Sequence, residues 1–393
     1  MYKLYGDGIH DDTLAIQELI DNASSELALP DPEKFYLISA PLELPSNFRL
    51  VLPRYAEIRL ADNSNCVMLQ NKMVEDRQGR TEQTFFDFIN KYSPDYPCHD
   101  IEVVGGIWNL NNLKQNPNPI YTGIVEPQGY MGFTFLFYNV KNLKISSLTL
   151  KDPINFAVTL DTVSYFTVEN IVFDFNYGNP LATNMDGIHL NGNCHFGHIR
   201  NLQGACYDDL VALNSDEGTC GPITDIDING IYCEDCHSAV RLLTVRNAIE
   251  NIHISDVHGT FFQYCIGITK FYNGKTSGYY DGITLDKIYA SKAVRLPVYN
   301  KTPDSYVYPI IFIENETRIY NIKVADLHRR EHITPVSTVF IGENSVIDTL
   351  ILDNISTKNF TDSDEMPVFV NNGTIKYLDA RNIFENGEKI YLS

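Results

Sequence analysis

The stretch Asp209-Leu210-Val211-Ala212-Leu213-Asn214 contains an apolar pair two residues apart, Val211 and Leu213, followed by a polar residue. This arrangement recurs along the chain at steps of 23 to 30 residues, apart from one step of 45 residues. The pairs are Phe135/Phe137, Val158/Leu160, Ile188/Leu190, Val211/Leu213, Val240/Leu242, Ile266/Ile268, Ile311/Ile313, Val339/Ile341 and Val368/Val370. Two or three short strands in each such unit are typical of one coil of a parallel β-helix.

A second kind of run lies between these pairs, with aliphatic residues at its first, fourth and sixth positions. Examples are residues 140–145, 223–228, 249–254 and 319–324. Leucine-rich repeats have similar periods, but their asparagine-containing consensus is absent from this sequence, and a β-propeller needs about 40 residues per blade. The sequence therefore predicts an all-β chain, a single-stranded right-handed parallel β-helix whose coils stack about 4.8 Å apart.

The chain is predicted to form one domain over residues 1–393, because no linker rich in Pro, Gly or Ser divides it. The open end of a solenoid needs a cap. A helix opened by Asp11 and Asp12 is expected to supply this N-terminal cap within about residues 1–25. Its apolar face is predicted to contain Leu14, Ile16, Leu19 and Ile20. An ordinary surface helix is the alternative.

The 45-residue step between two apolar pairs predicts an interruption of the solenoid. It contains residues 279–308, which are rich in Tyr, Lys, Ser and Pro. A loop excursion is therefore expected over about residues 275–308. Long loops of this kind often shape binding sites.

Composition argues against several kinds of partner. The formal net charge of -20 disfavours nucleic acid and anionic membranes, and no apolar run approaches the roughly 20 residues of a membrane span. The N-terminus has no secretory apolar core, so a cytoplasmic protein is expected, or a secreted one if an export signal has been removed. The eight cysteines lack the spacing of a small disulfide framework, and free thiols are expected. A monomer is the expected oligomeric state.

Aligning the coils on four inward residues collects polar side chains on one face of one sheet. The inward residues are Ile188, Val211, Val240 and Ile266. Two positions before them lie Asp186, Asp209, Ser238 and Tyr264, and three positions before lie Met185, Asp208, His237 and Gln263. One position after them lie His189, Ala212, Arg241 and Gly267, all expected to face outward, and three positions after lie Asn191, Asn214, Leu243 and Thr269.

This alignment predicts three carboxylates and two histidines on adjacent rungs. We expect Asp186 about one rung from Asp209, and Asp208 about one rung from His237, with rungs roughly 5 Å apart. Crowded carboxylates repel one another, so one of them can hold a proton while another stays ionised. Glycoside hydrolysis needs such a pair, one acid for the leaving oxygen and one base for water. The alternative is a structural role, because Asp and Asn are common at turns.

Short motifs on these coils point to a known family. Asn184-Met185-Asp186-Gly187 is followed 22 residues after Asp186 by Asp208-Asp209, and one coil later by His237-Ser238. They resemble the Asn-x-Asp-Gly, Asp-Asp and His-Gly elements of glycoside hydrolase family 28, the polygalacturonase family, with serine in place of the last glycine. Residues 105–111 and 6–13 are also similar to segments of this family and of related pectate-lyase-like β-helices.

The resemblance implies roles for the motif residues. Asp208 matches the general acid, Asp186 and Asp209 match the pair that activates water, and His237 matches the histidine that tunes the acid. The family inverts anomeric configuration and uses an Arg-x-Lys element to hold the sugar carboxylate. That element is altered here: Lys270 is placed like its lysine, but the arginine is missing, and Arg241 lies one coil earlier.

Substrate contacts are predicted around these residues. His189, Asn191 and Asn214 are expected to bind substrate, and Arg241 and Lys270 either bind an acidic sugar or balance the aspartates. The candidate platforms for sugar stacking are Tyr264, Tyr272 and Tyr207. The predicted function is hydrolysis of a pectin-like, uronate-containing polysaccharide or oligosaccharide with exo-like action, because two cations accompany the site.

No cofactor or metal is predicted, although three alternatives stay open. Zinc binding would use the segments 194–198 and 233–236, which carry Cys and His in suitable spacing. A calcium-dependent polysaccharide lyase would use the acidic residues with Arg241 as the base. A phage tail-fibre module that binds glycans, with or without cutting them, would need no such constellation of acids and would form a trimer.

Overall fold

The structure of the chain is a computed structural model that describes residues 2–72, 98–117, 132–182, 184–270, 278–299, 301–363 and 365–392. Within them, the α-helix α1 spans Thr13–Asn22. Short 3-10 turns occupy Asn112–Lys114, Pro297–Tyr299 and Asp304–Tyr306. No helix in this part of the chain is long and apolar enough to cross a bilayer.

Strands make up most of the regular structure. The strands before residue 191 are β1 (Asp7–Asp11), β2 (Glu26–Ala28), β3 (Phe35–Ile38), β4 (Leu42–Leu44), β5 (Phe48–Val51), β6 (Glu57–Leu60), β7 (Leu69–Asn71), β8 (Cys98–Val104), β9 (Ile107–Asn109), β10 (Phe135–Lys151), β11 (Val158–Asp174) and β12 (Ile188–Leu190). The later strands are β13 (His195–Ala205), β14 (Asp209–Asn214), β15 (Ile223–Leu243), β16 (Ala248–Thr269), β17 (Tyr279–Lys292), β18 (Ile311–Ile313), β19 (Arg318–Glu331), β20 (Val339–Ile341), β21 (Val346–Asn359), β22 (Phe369–Asn371), β23 (Thr374–Glu385) and β24 (Glu388–Ile390).

The chain forms two compact units. Unit 1 contains residues 1–197 and 217–219, and unit 2 contains residues 198–216 and 220–393. In each unit, parallel strands pair from one coil to the next, and the antiparallel pair β23–β24 is the exception among the described strands of unit 2. This architecture confirms the right-handed parallel β-helix. That the whole chain is one domain stays a prediction.

The predicted apolar pairs of unit 1 stack in register. Phe135 lies opposite Val158, and Val158 lies opposite Ile188, which joins β10, β11 and β12. The second members of these pairs are likewise opposite one another, and all six side chains have no exposed surface. Because strand side chains alternate between two faces, this register buries one continuous apolar row inside the coils.

Unit 2 continues the same arrangement over its own coils. Val211 lies opposite Val240, and Val240 lies opposite Ile266, which joins β14, β15 and β16. The row extends through Ile311 to Val339 on β18 and β20. The flanking positions also match the predicted alignment, because Asp209 pairs with Ser238, Ala212 with Arg241 and Asn214 with Leu243.

The second kind of run surrounds a turn that uses left-handed backbone. Asn142, Asp225 and Asn251 occupy the third position of their runs and have φ angles of 63°, 60° and 56°. Asn and Asp tolerate this conformation better than other residues with a side chain. Their side chains also bond across coils, and Nδ2 of Asn251 donates to Oδ1 of Asp225 at 3.0 Å.

The prediction for the last apolar pair is wrong by one residue. Val339 lies opposite Phe369, and Ile341 lies opposite Asn371, so β22 begins one residue after Val368. Val368 is buried just before the strand. Three apolar residues in a row, 368–370, allow two registers by pattern alone, and the alternation rule cannot choose between them.

The predicted loop over about residues 275–308 is wrong in its first half. Residues 279–292 form β17, which pairs with both β16 and β19. Tyr280, Ile283, Leu285 and Ile288 are buried along it, so this stretch follows the strand pattern despite its polar composition. After β17, residues 293–310 leave the strand pattern, with short 3-10 turns at Pro297–Tyr299 and Asp304–Tyr306, and residues 275–277 and 300 of the predicted loop lie outside the described residues.

The predicted helix near the N-terminus is confirmed, but its buried face differs from the prediction. Ala15, Ile16 and Ile20 are buried, whereas Leu14 is 59% exposed. Asp12 precedes the helix, and its carboxylate accepts hydrogen bonds from the N–H groups of Tyr5 and Gly6 rather than from the helix. Its function as a cap stays a prediction.

Candidate active site

In unit 2, the start of β14 places Asp208 beside a histidine of the next coil. Oδ1 of Asp208 lies 3.7 Å from Nδ1 of His237. Backbone pairing sets this approach, since the N–H of Ser238 donates to the carbonyl of Asp208. The side chain of Asp208 is 22% exposed and that of His237 is 14% exposed. The predicted one-rung relation between these residues is therefore present.

Asp209 has a different environment, although it is adjacent in sequence. Its side chain has no exposed surface, and its Oδ2 lies 3.0 Å from Nε of Arg241 in a salt bridge. The hydroxyl of Tyr264 donates to its Oδ1 at 3.2 Å. Burial raises the pKa of Asp209 to about 6, Arg241 opposes this shift, and the charge of Asp208 adds to it.

His237 is neutral at physiological pH in this arrangement. Burial lowers the pKa of His237 to about 3, and the positive charges of Lys292 and Arg241 act in the same direction. A neutral imidazole beside Asp208 can exchange a hydrogen bond with it without adding charge.

The predicted sugar platform Tyr264 is not available at the surface. Its ring has no exposed surface and lies over Gly267, where an added Cβ would come within 2.6 Å of it. Tyr264 therefore contacts Asp209 from inside the protein, through its hydroxyl group. Tyr207 is partly buried against the aromatic cluster of Phe262 and Tyr299. Tyr272 lies outside the described residues.

The predicted cation Lys270 already has a carboxylate partner. Its Nζ lies 2.5 Å from Oε2 of Glu316, and its side chain is 15% exposed. The backbone N–H of Lys270 donates to Oε2 of Glu314 at 2.6 Å. Arg241 thus lies beside an aspartate and Lys270 beside a glutamate, and the role of either cation towards substrate stays a prediction.

In unit 1, Asp186 and His189 form a buried pair. Oδ2 of Asp186 lies 2.6 Å from Nδ1 of His189, and Nε2 of His189 lies 2.9 Å from Oε2 of Glu217. His189 has no exposed surface, and its predicted contact with substrate stays a prediction. The expected spacing of Asp186 and Asp209 relates residues of two different units, and it stays a prediction.

The two asparagines predicted to bind substrate are also buried. Asn191 is 5% exposed, and its Nδ2 donates to Oδ2 of Asp161 at 3.1 Å. Asn214 has no exposed surface at the end of β14. The predicted contact of both side chains with substrate stays a prediction.

The loop over residues 293–310 borders the Asp208–His237 pair. Tyr299 stacks on Phe262 with ring centroids 4.2 Å apart, and it lies 5.3 Å from the His237 ring. Arg295 holds this turn, because its Nη1 donates to the carbonyl oxygens of Tyr299 and Thr302. An aromatic wall therefore stands next to the partly exposed Asp208.

Sequence patterns did not identify Lys292, a buried cation at the end of β17. Lys292 is 1% exposed, and its Nζ donates to the carbonyl oxygens of Gln263 at 2.7 Å and Tyr308 at 2.9 Å. It ends β17, in the stretch interpreted as loop. Glu217 was missed as well, since it lies beyond the aligned strand positions. No periodic signal marks either residue.

The segments considered for zinc lie in different surroundings. In unit 2, His198 is half exposed, and its Nδ1 lies 3.6 Å from Oδ2 of Asp227. Cys233 and Cys236 are buried. All eight cysteines are free thiols, which agrees with the expectation from their spacing.

The fold defines a parallel β-helix protein, and comparison with known families adds a catalytic class. Residues 124–294 match the sequence model of Glycosyl hydrolases family 28. The matched segment includes the aspartates and His237, whereas residues 6–13 and 105–111 lie outside it. The match supports a glycoside hydrolase and confirms the resemblance on which the sequence analysis relied.

Solved structures with a similar fold have diverse origins. The surface protein and adhesin PfbA of Streptococcus pneumoniae has 16% identity and a TM-score of 0.52, over 98% of this chain and 96% of that chain. The endo-xylogalacturonan hydrolase of Aspergillus tubingensis has 14% identity and a TM-score of 0.54, over 96% and 98%. The tailspike protein of E. coli bacteriophage HK620 has 11% identity and a TM-score of 0.58, over 94% and 63%. At these identities the similarity establishes the fold alone.

Proposed function

We propose that this protein hydrolyses glycosidic bonds in a pectin-like, uronate-containing polysaccharide or oligosaccharide by an inverting acid–base mechanism. The observation that carries the proposal is the contrast between two adjacent carboxyl groups of unit 2. Asp208 is partly exposed beside a neutral His237, and Asp209 is buried against Arg241. Different environments for neighbouring carboxyl groups are what separates an acid from a base.

Asp208 acts as the general acid. It donates its proton to the glycosidic oxygen as the bond to the anomeric carbon breaks, so the departing sugar leaves as an alcohol. Its exposed fraction allows contact with a substrate, and the loop with Tyr299 restricts water on one side. His237, whose Nδ1 lies 3.7 Å from Oδ1 of Asp208, is neutral and adds no charge beside the acid.

Asp209 acts as the base. Water attacks the anomeric carbon from the opposite face, and its proton passes to a carboxylate, which inverts the configuration. With a pKa of about 6, Asp209 is mostly ionised at pH 7 and close to the optimum for a base at that pH. The resemblance to the family implies the same step for Asp186.

Two cations support an acidic sugar as substrate. Arg241 is 14% exposed and Lys270 is 15% exposed, so each retains some surface despite its carboxylate partner. A guanidinium and an ammonium can both bind a uronate carboxylate. The loop over residues 293–310 next to His237 favours cleavage near a chain end, which is the exo-like action expected from the sequence.

The experiment is a screen for new reducing ends on polygalacturonate, its methyl ester, alginate and neutral galactan. Activity on polygalacturonate that D208N abolishes supports the proposal. The matched control is D281N, the same substitution at a carboxylate that binds Asn321 on another coil of unit 2. If none of these glycans is cleaved by the parent protein, or if unsaturated products show that cleavage is by elimination, the proposal is wrong.

A further inference from the structure

Unit 1 contains a row of three ionisable side chains that are almost completely buried. Asp186 is 1% exposed, His189 is 0% exposed and Glu217 is 3% exposed. The imidazole lies between the two carboxylates, with 2.6 Å from Nδ1 to Asp186 and 2.9 Å from Nε2 to Glu217. Both ring nitrogens therefore face carboxylate oxygens, which requires two N–H donors for full satisfaction.

Packing fixes the orientation of the imidazole. The ring of Phe156 stacks on that of His189, with centroids 3.7 Å apart and an angle of 7° between the planes. His189 lies at the centre of β12, between the buried Ile188 and Leu190. The ring therefore has one face closed by an aromatic side chain, and each of its two nitrogens lies within 3 Å of a carboxylate oxygen.

The segment that carries Glu217 is also built into the fold. Oδ2 of Asp161 accepts hydrogen bonds from the N–H of Thr219 at 3.0 Å and from Nδ2 of Asn191 at 3.1 Å. Gly218 has a φ of +59°, and a Cβ there would lie 2.2 Å from Nδ2 of Asn191. Only glycine allows this close approach, so residues 217–219 are held against the coil in one conformation.

The charges of this row favour a doubly protonated imidazole. Burial lowers the pKa of His189, but the hydrogen bonds and charges of Asp186 and Glu217 outweigh it and raise the pKa to about 9. These two carboxylates are the charged groups that face the ring. A single carboxylate beside a histidine commonly fixes the orientation of the ring. One carboxylate at each ring nitrogen also stabilises the positive charge of the imidazolium.

We propose that His189 and Glu217 are positioning residues, which hold Asp186 in a fixed orientation next to a permanent imidazolium. This inference rests on the proposed function only for its consequence, namely that the imidazolium keeps the predicted water-activating carboxylate ionised. Glu217 provides the second charge that keeps the proton on His189. Neither residue contacts the sugar.

The first test observes His189 directly and needs no substrate. In protein labelled with ¹⁵N-histidine, one imidazole is expected to carry protons on both nitrogens and to show no titration between pH 5.5 and 8. H189Q assigns this signal by removing it, and E217Q gives an independent assignment by shifting it. A His189 that titrates near the ordinary histidine value, or that is neutral at pH 7, overturns the proposal.

The second test uses the pH profile of kcat/KM on polygalacturonate. H189Q keeps a hydrogen-bond donor but removes the cation, so the acidic limb is expected to move to higher pH by about one unit, which corresponds to about 1.4 kcal/mol. E217Q removes a negative charge instead, and its acidic limb is expected not to move to higher pH. A purely structural role would not move the acidic limb to higher pH in H189Q and leave it unmoved in E217Q.

The two tests separate this inference from the proposed function. If the protein cleaves no glycan but His189 is doubly protonated, the hydrolase proposal fails, while the charged row of Asp186, His189 and Glu217 is supported. If the protein is active and both variants lower kcat equally without changing the profile, the row is structural and the inference fails. Where a variant does not fold, the ¹⁵N spectrum of the parent protein still decides the charge of His189.

Discussion

Nε of Arg241 lies 3.0 Å from Oδ2 of Asp209, and the side chain of Asp209 has no exposed surface. The two residues are brought together because β14 and β15 pair in parallel, with Ala212 opposite Arg241. A buried carboxylate is costly unless a cation compensates it. Arg241 therefore sets how easily Asp209 takes up a proton, whatever else it does at the site.

This salt bridge leads to a prediction for pH dependence. Because the pKa of Asp209 is raised to about 6, kcat/KM is expected to fall below about pH 6 as this base becomes protonated. R241Q removes the opposing cation, so the acidic limb should move to higher pH. Rates on polygalacturonate from pH 4 to 8 measure both effects. An acidic limb that stays in place in R241Q contradicts the assignment of Asp209 as the base.

D208N is predicted to lower the rate by about 10²–10⁴-fold, the usual contribution of a general acid. The partly exposed position of Asp208 makes a neutral isostere tolerable, so thermal unfolding should be nearly unchanged. Reducing-end release and circular dichroism are measured together, with D281N as the control. Near-normal turnover in D208N would remove Asp208 from the acid role.

His237 is predicted to make the folded state sensitive to acid. Burial lowers its folded pKa to about 3, below the ordinary histidine value of 6.5. The unfolded chain therefore binds the proton first, and the stabilisation present above pH 6.5 is lost as the pH falls towards 3. At pH 5 the cost is about 2 kcal/mol. Urea midpoints of the parent and H237Q at pH 7 and pH 5 should converge at the lower pH; parallel curves count against the assignment.

Lys270 is predicted to recognise the sugar carboxylate. K270Q should raise KM for polygalacturonate about tenfold, while its effect on the methyl ester stays small, since only the acid offers a charge to bind. The matched variant E316Q frees Lys270 from its partner at 2.5 Å and should not raise KM for the acid. Equal losses on acid and ester in K270Q mean that Lys270 only balances Glu316.

Gly267 is predicted to be required beneath the active site. A Cβ at this position would lie 2.6 Å from the Tyr264 ring, whose hydroxyl binds Asp209. G267A should destabilise the fold by about 1–3 kcal/mol, as overpacking does. In the double variant G267A/Y264A the ring is absent, so G267A should cost less stability in the Y264A background than in the parent protein. No recovery in the double variant would mean that the clash is relieved elsewhere. Urea denaturation measures all three.

Some features of the candidate site followed from the sequence because coils repeat. The apolar pair in each coil predicts which residues lie opposite one another, and Asp209 with Ser238 and Ala212 with Arg241 are found as predicted. Where the pattern was ambiguous it failed, as at residues 368–370. It also failed where polar composition concealed a strand, as at residues 279–292.

Burial and charge partners at the site did not follow from the pattern. Tyr264 and His189 occupy predicted positions, yet both are buried, and each lies beside a carboxylate. Glu217 approaches His189 from 28 residues further along the chain, and no repeat position marks it. Lys292 acts on His237 from the end of a strand that composition alone hid.

The sequence by itself determined the repeat, most of the inward rows and the pairing of Asp209 with Ser238, because strand side chains alternate with a period of two and neighbouring coils share one register. Only the tertiary structure decided which carboxyl group is buried, which cation compensates it and which histidine lies between two carboxylates. These properties depend on side chains from separate coils approaching within about 3 to 4 Å, where burial and charge act strongly. Periodicity along the chain contains no information about that approach.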